Sequence, residues 1–259
     1  MGENYRTEQL EVRGYRVPVQ IGGKGEPLLL LHGAGGAGLW TPFHAALAER
    51  FTVYAPVHPG FAGTPLPDWV KSVADLVYHY MDVLNALGLR RITLAGISLG
   101  GWIATEFAVT RPDLVQRLVL MAPIGVRPDS PMPDLFILDP QEAPRYLFAD
   151  PKMAAALRPA APPSAEMITA MWSEQAAVAR LIWKRPYNPQ LERRLHHITA
   201  PVLLLWGAED RLVPAAHGRK LQKLIANAQL VVIEGAGHVA PLEKPGEMAQ
   251  AILRFASAG

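Results

Sequence analysis

Residues 92–101 read Ile-Thr-Leu-Ala-Gly-Ile-Ser-Leu-Gly-Gly and combine an apolar run with a glycine-rich turn. The run Ile92–Ala95 is typical of a buried strand, while Leu99–Thr110 has the pattern of a helix. Between them lies Gly-x-Ser-x-Gly, with Ser98 at the turn. The flanking glycines allow strand and helix to close around the serine, whose Oγ then projects clear of the backbone. Because the following helix N-terminus favours negative charge, Ser98 is predicted to be a nucleophile.

Outward from this turn, short apolar runs alternate with longer helical patterns. Strict alternation of this kind predicts an α/β fold, a mostly parallel twisted sheet with helices on both faces. Ahead of it, Glu8–Arg13 and Tyr15–Gln20 predict an antiparallel hairpin at the sheet edge. The other predicted strands are Leu28–Leu31, Thr52–Ala55, Leu118–Met121, Val202–Trp206 and Leu230–Ile233, and the other predicted helices are Trp40–Glu49, Val73–Leu87, Ala215–Ile225 and Pro245–Phe255.

The alternation breaks between Met121 and Val202, where a long segment replaces the usual single helix. Prolines crowd its first half, and Ala165–Trp183 follows as a helical pattern with a broad apolar face. We interpret residues 127–197 as an inserted helical cap and residues 1–126 with 198–259 as the core. The apolar helix either packs on the sheet or forms a lid over the strand ends, where ligands of parallel sheets bind.

A serine nucleophile needs a base, and the base needs an orienting acid. Asp210 follows the strand Val202–Trp206, and His238 follows the strand Leu230–Ile233. The carboxyl ends of parallel strands share one edge, so Ser98, Asp210 and His238 are predicted to form the catalytic residues. Glu209 is the competing acid.

The loop after Leu28–Leu31 reads His-Gly-Ala-Gly-Gly-Ala-Gly. It is predicted to supply one oxyanion-hole N–H from Ala34, the second coming from Leu99 after the nucleophile. Phosphate binding is the rival interpretation of this loop, but it lacks both the Lys-Ser/Thr of a P-loop and the dinucleotide register.

Composition excludes several classes of protein and cofactor. Of 259 residues, 50% are apolar and 19% charged, which is typical of a folded globular chain. The net charge of +2 carries no long basic run, so neither nucleic acid nor a membrane surface is an expected partner. No cysteine is present, and no other pattern indicates a metal or cofactor. The polar residues 1–20 lack a signal peptide's apolar region, so we expect a cytoplasmic protein. A homodimer is compatible with the sequence.

Five segments together resemble the α/β-hydrolase fold superfamily, in particular its small serine hydrolases with a cap between strands six and seven. They are LLLLHGAGG (Leu28–Gly36), HPGFAGT (His58–Thr64), GISLGG (Gly96–Gly101), PVLLLWGAEDRLVP (Pro201–Pro214) and GAGHVAPLEKP (Gly235–Pro245). Within that superfamily, haloalkane dehalogenases and epoxide hydrolases carry aspartate where this chain has Ser98. The meta-cleavage C–C hydrolases usually have an aromatic residue where Val239 follows His238.

The resemblance implies hydrolysis of small to medium, largely apolar carboxylic esters through an acyl-enzyme on Ser98. Candidate pocket residues are Gly33, Phe136, Met171, Trp172 and Val239. One alternative is a meta-cleavage C–C hydrolase, which needs a cation for its dienoate carboxylate. Arg145, Arg158, Arg180 and Arg185 are available for that role. A second alternative is a non-catalytic small-molecule receptor of the same fold.

Overall fold

The computed structural model describes residues 5–37, 39–134, 136–139, 141–156, 162 and 164–258. Its centre is an eight-stranded sheet with the order β1-β2-β4-β3-β5-β6-β7-β8. The strands are β1 Tyr5–Val12, β2 Tyr15–Gly22, β3 Glu26–Leu31, β4 Phe51–Pro56, β5 Ile92–Ile97, β6 Val115–Met121, β7 Val202–Gly207 and β8 Ala228–Ile233. From β4 to β8 all neighbours are parallel, which confirms the predicted fold class.

The first two strands form the predicted hairpin. β1 pairs with β2 antiparallel, with Leu10 opposite Val17, and β2 pairs antiparallel with β4. Both strands run longer than their alternating patterns suggested, since Tyr5 lies opposite Gly22 at the open end. The hairpin therefore extends one edge of the sheet, away from the strands that precede Ser98, Asp210 and His238.

Helices cover both faces of the sheet. They are α1 Pro42–Leu47, α2 Val73–Ala86, α3 Leu99–Thr110, α4 Ala143–Leu147, α5 Pro151–Ala156, α6 Ala165–Ile182, α7 Ala215–Leu224, α8 Ala240–Glu243 and α9 Pro245–Ser257, with 3-10 turns at Pro112–Leu114 and Glu192–His197. Leu76, Phe107 and Leu221 from α2, α3 and α7 join one buried cluster, and Phe43 and Ile252 from α1 and α9 join another. Two cores on opposite faces hold the strand ends in fixed positions.

The helix predicted over Trp40–Glu49 is shorter, since α1 begins at Pro42 and ends at Leu47. Proline suits the first turn of a helix, where its missing N–H leaves no hydrogen bond unmade. Trp40 lies outside α1 and stacks on Tyr5 of β1, with ring centroids 4.7 Å apart. Trp40 is therefore an aromatic partner of Tyr5 and not a residue of the helix.

Between β6 and β7 lie α4, α5, α6 and the second 3-10 turn, so the insertion is helical as predicted. The C-terminal half of α6 packs into the larger core through Ala177, Val178, Leu181 and Ile182. The bounds of a separate cap at residues 127–197 stay a prediction.

Within the described part of the chain, no helix is both long and apolar enough to span a bilayer.

Candidate active site

Ser98 occupies the turn between β5 and α3 in a strained backbone conformation. Its φ is 51° and its ψ is −109°, values that cost a non-glycine residue about 1–3 kcal/mol. The turn closes tightly because a Cβ on Gly96 would lie 2.2 Å from Gly100 O, and one on Gly100 would lie 2.2 Å from Leu31 O. Ser98 N donates to Met121 O at 2.9 Å, which anchors the turn to β6. The strain is thus held by the surrounding backbone and presents the serine at the sheet edge.

Asp210 and His238 meet in a buried contact. His238 Nδ1 lies 2.9 Å from Asp210 Oδ2, and each residue is 5% exposed. The other carboxylate oxygen, Oδ1, accepts from Leu212 N at 3.0 Å and from Val213 N at 2.8 Å. Since Nδ1 donates to the carboxylate, neutral His238 keeps Nε2 free to accept a proton. This arrangement suits a general base.

Glu209, the competing acid, makes different contacts. Its carboxylate accepts from Gly235 N at 3.3 Å and from Ala236 N at 3.0 Å. It therefore holds the loop before His238, while Asp210 contacts the imidazole itself.

The predicted oxyanion loop passes beside Ser98. A Cβ placed on Gly33 would lie 3.5 Å from Ser98 Cβ and 3.4 Å from Ile97 O. Leu99 is the first residue of α3, where helix N–H groups lack intrahelical acceptors. In the part of the chain that the structure covers, neither the Ala34 nor the Leu99 N–H donates to a backbone carbonyl. Leu99 directly follows Ser98, and Ala34 follows Gly33, so the two amides stay the predicted oxyanion donors.

Two histidines hold the backbone of this loop. His58 Nε2 donates to His32 O at 2.7 Å, and His58 N donates to His32 Nε2 at 2.9 Å. His32 Nδ1 in turn donates to Gly33 O at 2.8 Å, and the hydroxyl of buried Tyr80 donates to His58 Nδ1. Each ring nitrogen has one role, so both imidazoles are neutral with a fixed tautomer.

Burial also keeps these rings neutral. It lowers the pKa of His32 to about 4. Burial, with the neighbouring His32, lowers the pKa of His58 well below its ordinary value. Through these hydrogen bonds the pair supports the backbone of His32 and Gly33.

Sequence reasoning missed two residues that tie the inserted segment to the loops that carry Asp210 and His238. Glu243 Oε2 accepts from Gly237 N at 2.6 Å, next to His238, and its Oε1 accepts from Ala149 N at 2.9 Å. Arg211 Nη1 lies 3.1 Å from the carbonyls of both Arg145 and Phe148. The sequence signals that could have indicated them are the position of Glu243 in the short helix after His238 and that of Arg211 directly after Asp210.

The predicted pocket residues are spread over the structure. Gly33 lies against Ser98, and Val239 N donates to Leu147 O at 3.1 Å. Phe136 packs on Trp183, with ring centroids 5.2 Å apart. Met171 and Trp172 lie on α6, 56% and 68% exposed. The pocket role of Phe136, Met171 and Trp172 stays a prediction.

The cations that a C–C hydrolase would need have other neighbours. Arg145 pairs with Glu142 at 2.9 Å, and Arg180 Nη2 donates to Asp68 O at 2.8 Å. Arg185 lies over the Tyr187 ring, 5.8 Å from its centroid. Arg158 lies outside the described residues.

Comparison with known proteins agrees with the fold. The model of the alpha/beta hydrolase family matches residues 28–251. The uncharacterized protein Rv2715 of Mycobacterium tuberculosis is 29% identical over 269 residues, covering 94% of this chain and 79% of the relative. A 2-hydroxy-6-oxo-6-phenylhexa-2,4-dienoate hydrolase of Burkholderia cepacia is 27% identical over 275 residues, covering 95% and 92%. Among solved structures, a bacterial membrane phospholipase A superimposes with a TM-score of 0.78 at 27% identity, covering 98% of this chain and 86% of that one.

Proposed function

Because the chain belongs to the alpha/beta hydrolase family, we propose that it hydrolyses carboxylic esters of small to medium, largely apolar substrates through an acyl-enzyme on Ser98. One observation carries the proposal. A buried His238 is oriented by Asp210 at 2.9 Å, on the same sheet edge as a serine held at φ 51°. A serine hydroxyl is a weak nucleophile at neutral pH and becomes useful beside such a base.

In this mechanism His238 Nε2 takes the Ser98 proton as Oγ attacks the ester carbonyl. The Ala34 and Leu99 N–H groups donate to the oxyanion of the tetrahedral intermediate. The intermediate then collapses: the C–O bond to the alcohol breaks, His238 returns its proton to the alkoxide, and the acyl-enzyme remains. A water activated by His238 attacks next, and the acid leaves as Ser98 recovers its proton. Asp210 stabilises the imidazolium in both halves.

The relatives support two reaction types. The phospholipase A named above fits ester hydrolysis, at 27% identity. The Burkholderia cepacia relative, a dienoate hydrolase, favours C–C bond hydrolysis as a second candidate. We place esters first because Arg145 pairs with Glu142, while Arg180 and Arg185 line a cavity that Ser98 does not line. A cytoplasmic location and a homodimer stay predictions.

Initial rates with p-nitrophenyl butyrate and with a 2-hydroxy-6-oxo-dienoate test the proposal. We expect the ester to be turned over, and Ser98→Ala to lower kcat by about three orders of magnitude or more. Ser173→Ala, at an exposed serine of α6, is the matched control and should keep full activity. Undiminished ester hydrolysis in Ser98→Ala would contradict the acyl-enzyme.

Two further outcomes separate the alternatives. A kcat/KM at least 100-fold higher for the dienoate than for any ester would make the chain a C–C hydrolase. If a phosphonate probe fails to label Ser98 and neither substrate reacts, the chain is a non-catalytic receptor. Mass spectrometry of the labelled peptide that contains Ser98 gives the readout.

A further inference from the structure

A cavity lies apart from Ser98, Asp210 and His238. It has a volume of about 540 Å³, within the ~300–1,000 Å³ of small-molecule sites. It opens between the N-terminus of α2, the α3 residues Trp102 and Glu106, the C-terminal end of α6, and residues 187–189. None of Ser98, Asp210 and His238 lines it. One wall belongs to the core and the opposite wall to the segment inserted between β6 and β7.

Four cations line this cavity: Lys71, Arg180, Lys184 and Arg185. None of them forms an ion pair with a carboxylate in the described ranges of the chain. The whole chain has a net charge of only +2, so this is a local concentration of positive charge. Unpaired cations around one concave surface raise the local concentration of anions.

The nearby carboxylates do not cancel this charge. Glu106 is 1% exposed, and its Oε2 accepts from Arg194 Nη2 at 2.9 Å. Its Oε1 accepts from Asn188 Nδ2 at 2.7 Å and from Trp102 Nε1 at 3.3 Å. Asp75, near the mouth, accepts from Lys71 N, Ser72 N and Ser72 Oγ through Oδ2. Glu106 is paired with Arg194, and Asp75 is bound at the start of α2 and not to a lining cation. Since Arg180 Nη2 donates to Asp68 O, the side chains left for a ligand among the described contacts are those of Lys71, Lys184 and Arg185.

Aromatic side chains form the apolar part of the cavity. Trp102 is 4% exposed at the floor, Trp183 is 69% exposed at the mouth, and Tyr187 lies beside Arg185. Indole and phenol faces bind flat apolar groups, and a planar guanidinium such as that of Arg185 is suited to a carboxylate, to which it can donate two hydrogen bonds. A ligand with a flat apolar ring system and one anionic group matches both the aromatic and the cationic side chains of this cavity.

We propose that this cavity is a second ligand site, which binds a flat, apolar molecule that carries a carboxylate or another oxyanion. The ring system lies against Trp102 and Trp183, and the oxyanion contacts Lys184 and Arg185. Because the walls belong to different parts of the chain, the bound ligand bridges the inserted segment to α2 and α3. Occupancy should therefore raise the thermal stability of the whole chain.

Titration calorimetry of the full chain with 2-naphthoate tests the site. We expect saturable binding and a rise in Tm, whereas the neutral 2-naphthamide and inorganic phosphate should each bind at least tenfold more weakly. The double variant Lys184→Met/Arg185→Met should weaken naphthoate binding tenfold or more. The double variant Arg219→Met/Lys223→Met removes the same charge from exposed positions on α7 and should leave the affinity within twofold.

Three results would overturn the proposal: equal affinity for naphthoate and naphthamide, unchanged affinity in Lys184→Met/Arg185→Met, or equal weakening in the control. A chain phosphonylated at Ser98 should bind naphthoate as before. Loss of binding after that labelling would place the ligand at Ser98 and contradict a separate site.

Discussion

Asp210 divides its two carboxylate oxygens between two tasks. Oδ2 receives the His238 Nδ1–H at 2.9 Å, while Oδ1 receives the Leu212 and Val213 N–H groups. The two backbone bonds fix the plane of the carboxylate, and the plane in turn fixes the imidazole. The acid is therefore oriented before any substrate arrives.

Asp210→Asn should lower kcat for ester hydrolysis by about 10³–10⁴-fold, since an amide can hold His238 in the wrong tautomer. Steady-state kinetics at saturating p-nitrophenyl butyrate gives the measurement. Glu209→Gln is the matched control: Glu209 holds backbone N–H groups and not the ring, so we expect a loss below about tenfold. Similar losses in the two variants would contradict the division of roles.

Glu243→Gln should destabilise the chain by about 1–2 kcal/mol, because one carboxylate accepts from both Gly237 N and Ala149 N and an amide accepts at one atom only. Urea unfolding at pH 7 measures the effect. Glu247→Gln, whose exposed carboxylate lies 3.7 Å from Lys244 Nζ, should change stability by less than about 0.5 kcal/mol. Equal effects would remove the special role of Glu243.

Gly100→Ala should cost about 3 kcal/mol or more, since the new Cβ would lie 2.2 Å from Leu31 O and 2.4 Å from His32 O. Backbone carbonyls at the end of β3 have no room to move away. Gly35→Ala, in the neighbouring loop, meets nothing within 4 Å and should stay within about 0.5 kcal/mol of the parent. Thermal unfolding of both variants measures the two effects. A Gly100→Ala chain as stable as the parent would contradict the prediction.

Stability should fall steeply in mild acid. Burial lowers the pKa of His32, His44, His79 and His217 to about 4. Burial also lowers the pKa of His58 well below its ordinary value. The folded pKa lies below the unfolded value near ~6.5, so the stabilisation is complete above that pH and is lost as the pH falls towards 4. Near pH 5, unfolding should take up about four to five protons.

Urea unfolding between pH 7 and pH 5 measures this proton uptake from the slope of stability against pH. His217→Gln should reduce the uptake by about one proton, because both ring nitrogens of His217 are buried without a partner among the described residues. Gln222→Ala, at an exposed position of the same helix with no titratable group, should leave the slope unchanged. A flat stability between pH 6.5 and pH 5 would show that these rings do not stay neutral.

Local signals predicted the parts of the fold that depend on near neighbours in sequence. Strand, glycines and helix around Ser98 occur within twenty residues, and α3 spans Leu99–Thr110 as its pattern indicates. The contact between Asp210 and His238 follows from their places after adjacent parallel strands. The position of each residue directly after its strand was enough to predict that Asp210 and His238 lie close together.

Other contacts could not be predicted because they join distant, aperiodic segments. Ala149 and Glu243 are 94 residues apart, and nothing in the proline-rich stretch indicates which backbone amide the carboxylate accepts from. Periodicity likewise predicts α6 but not its neighbours, since only its C-terminal half reaches the core. Which face a helix buries depends on what packs there, and the pattern alone does not carry that information.

Residues 145–149 are hydrogen-bonded to Arg211, Val239 and Glu243 and lie against Gly237, and these contacts also define how this chain can be recombined. A chimera that takes its whole insertion from a relative would replace residues 145–149. It would then lose the backbone groups that are bonded to the loops of Asp210 and His238. Crossovers placed after Ala149 leave those bonds within one parent. In a chimera, α4 and the residues up to Ala149 should therefore come from the same parent as the loops of Asp210 and His238. The part of the insertion that can be exchanged begins after Ala149.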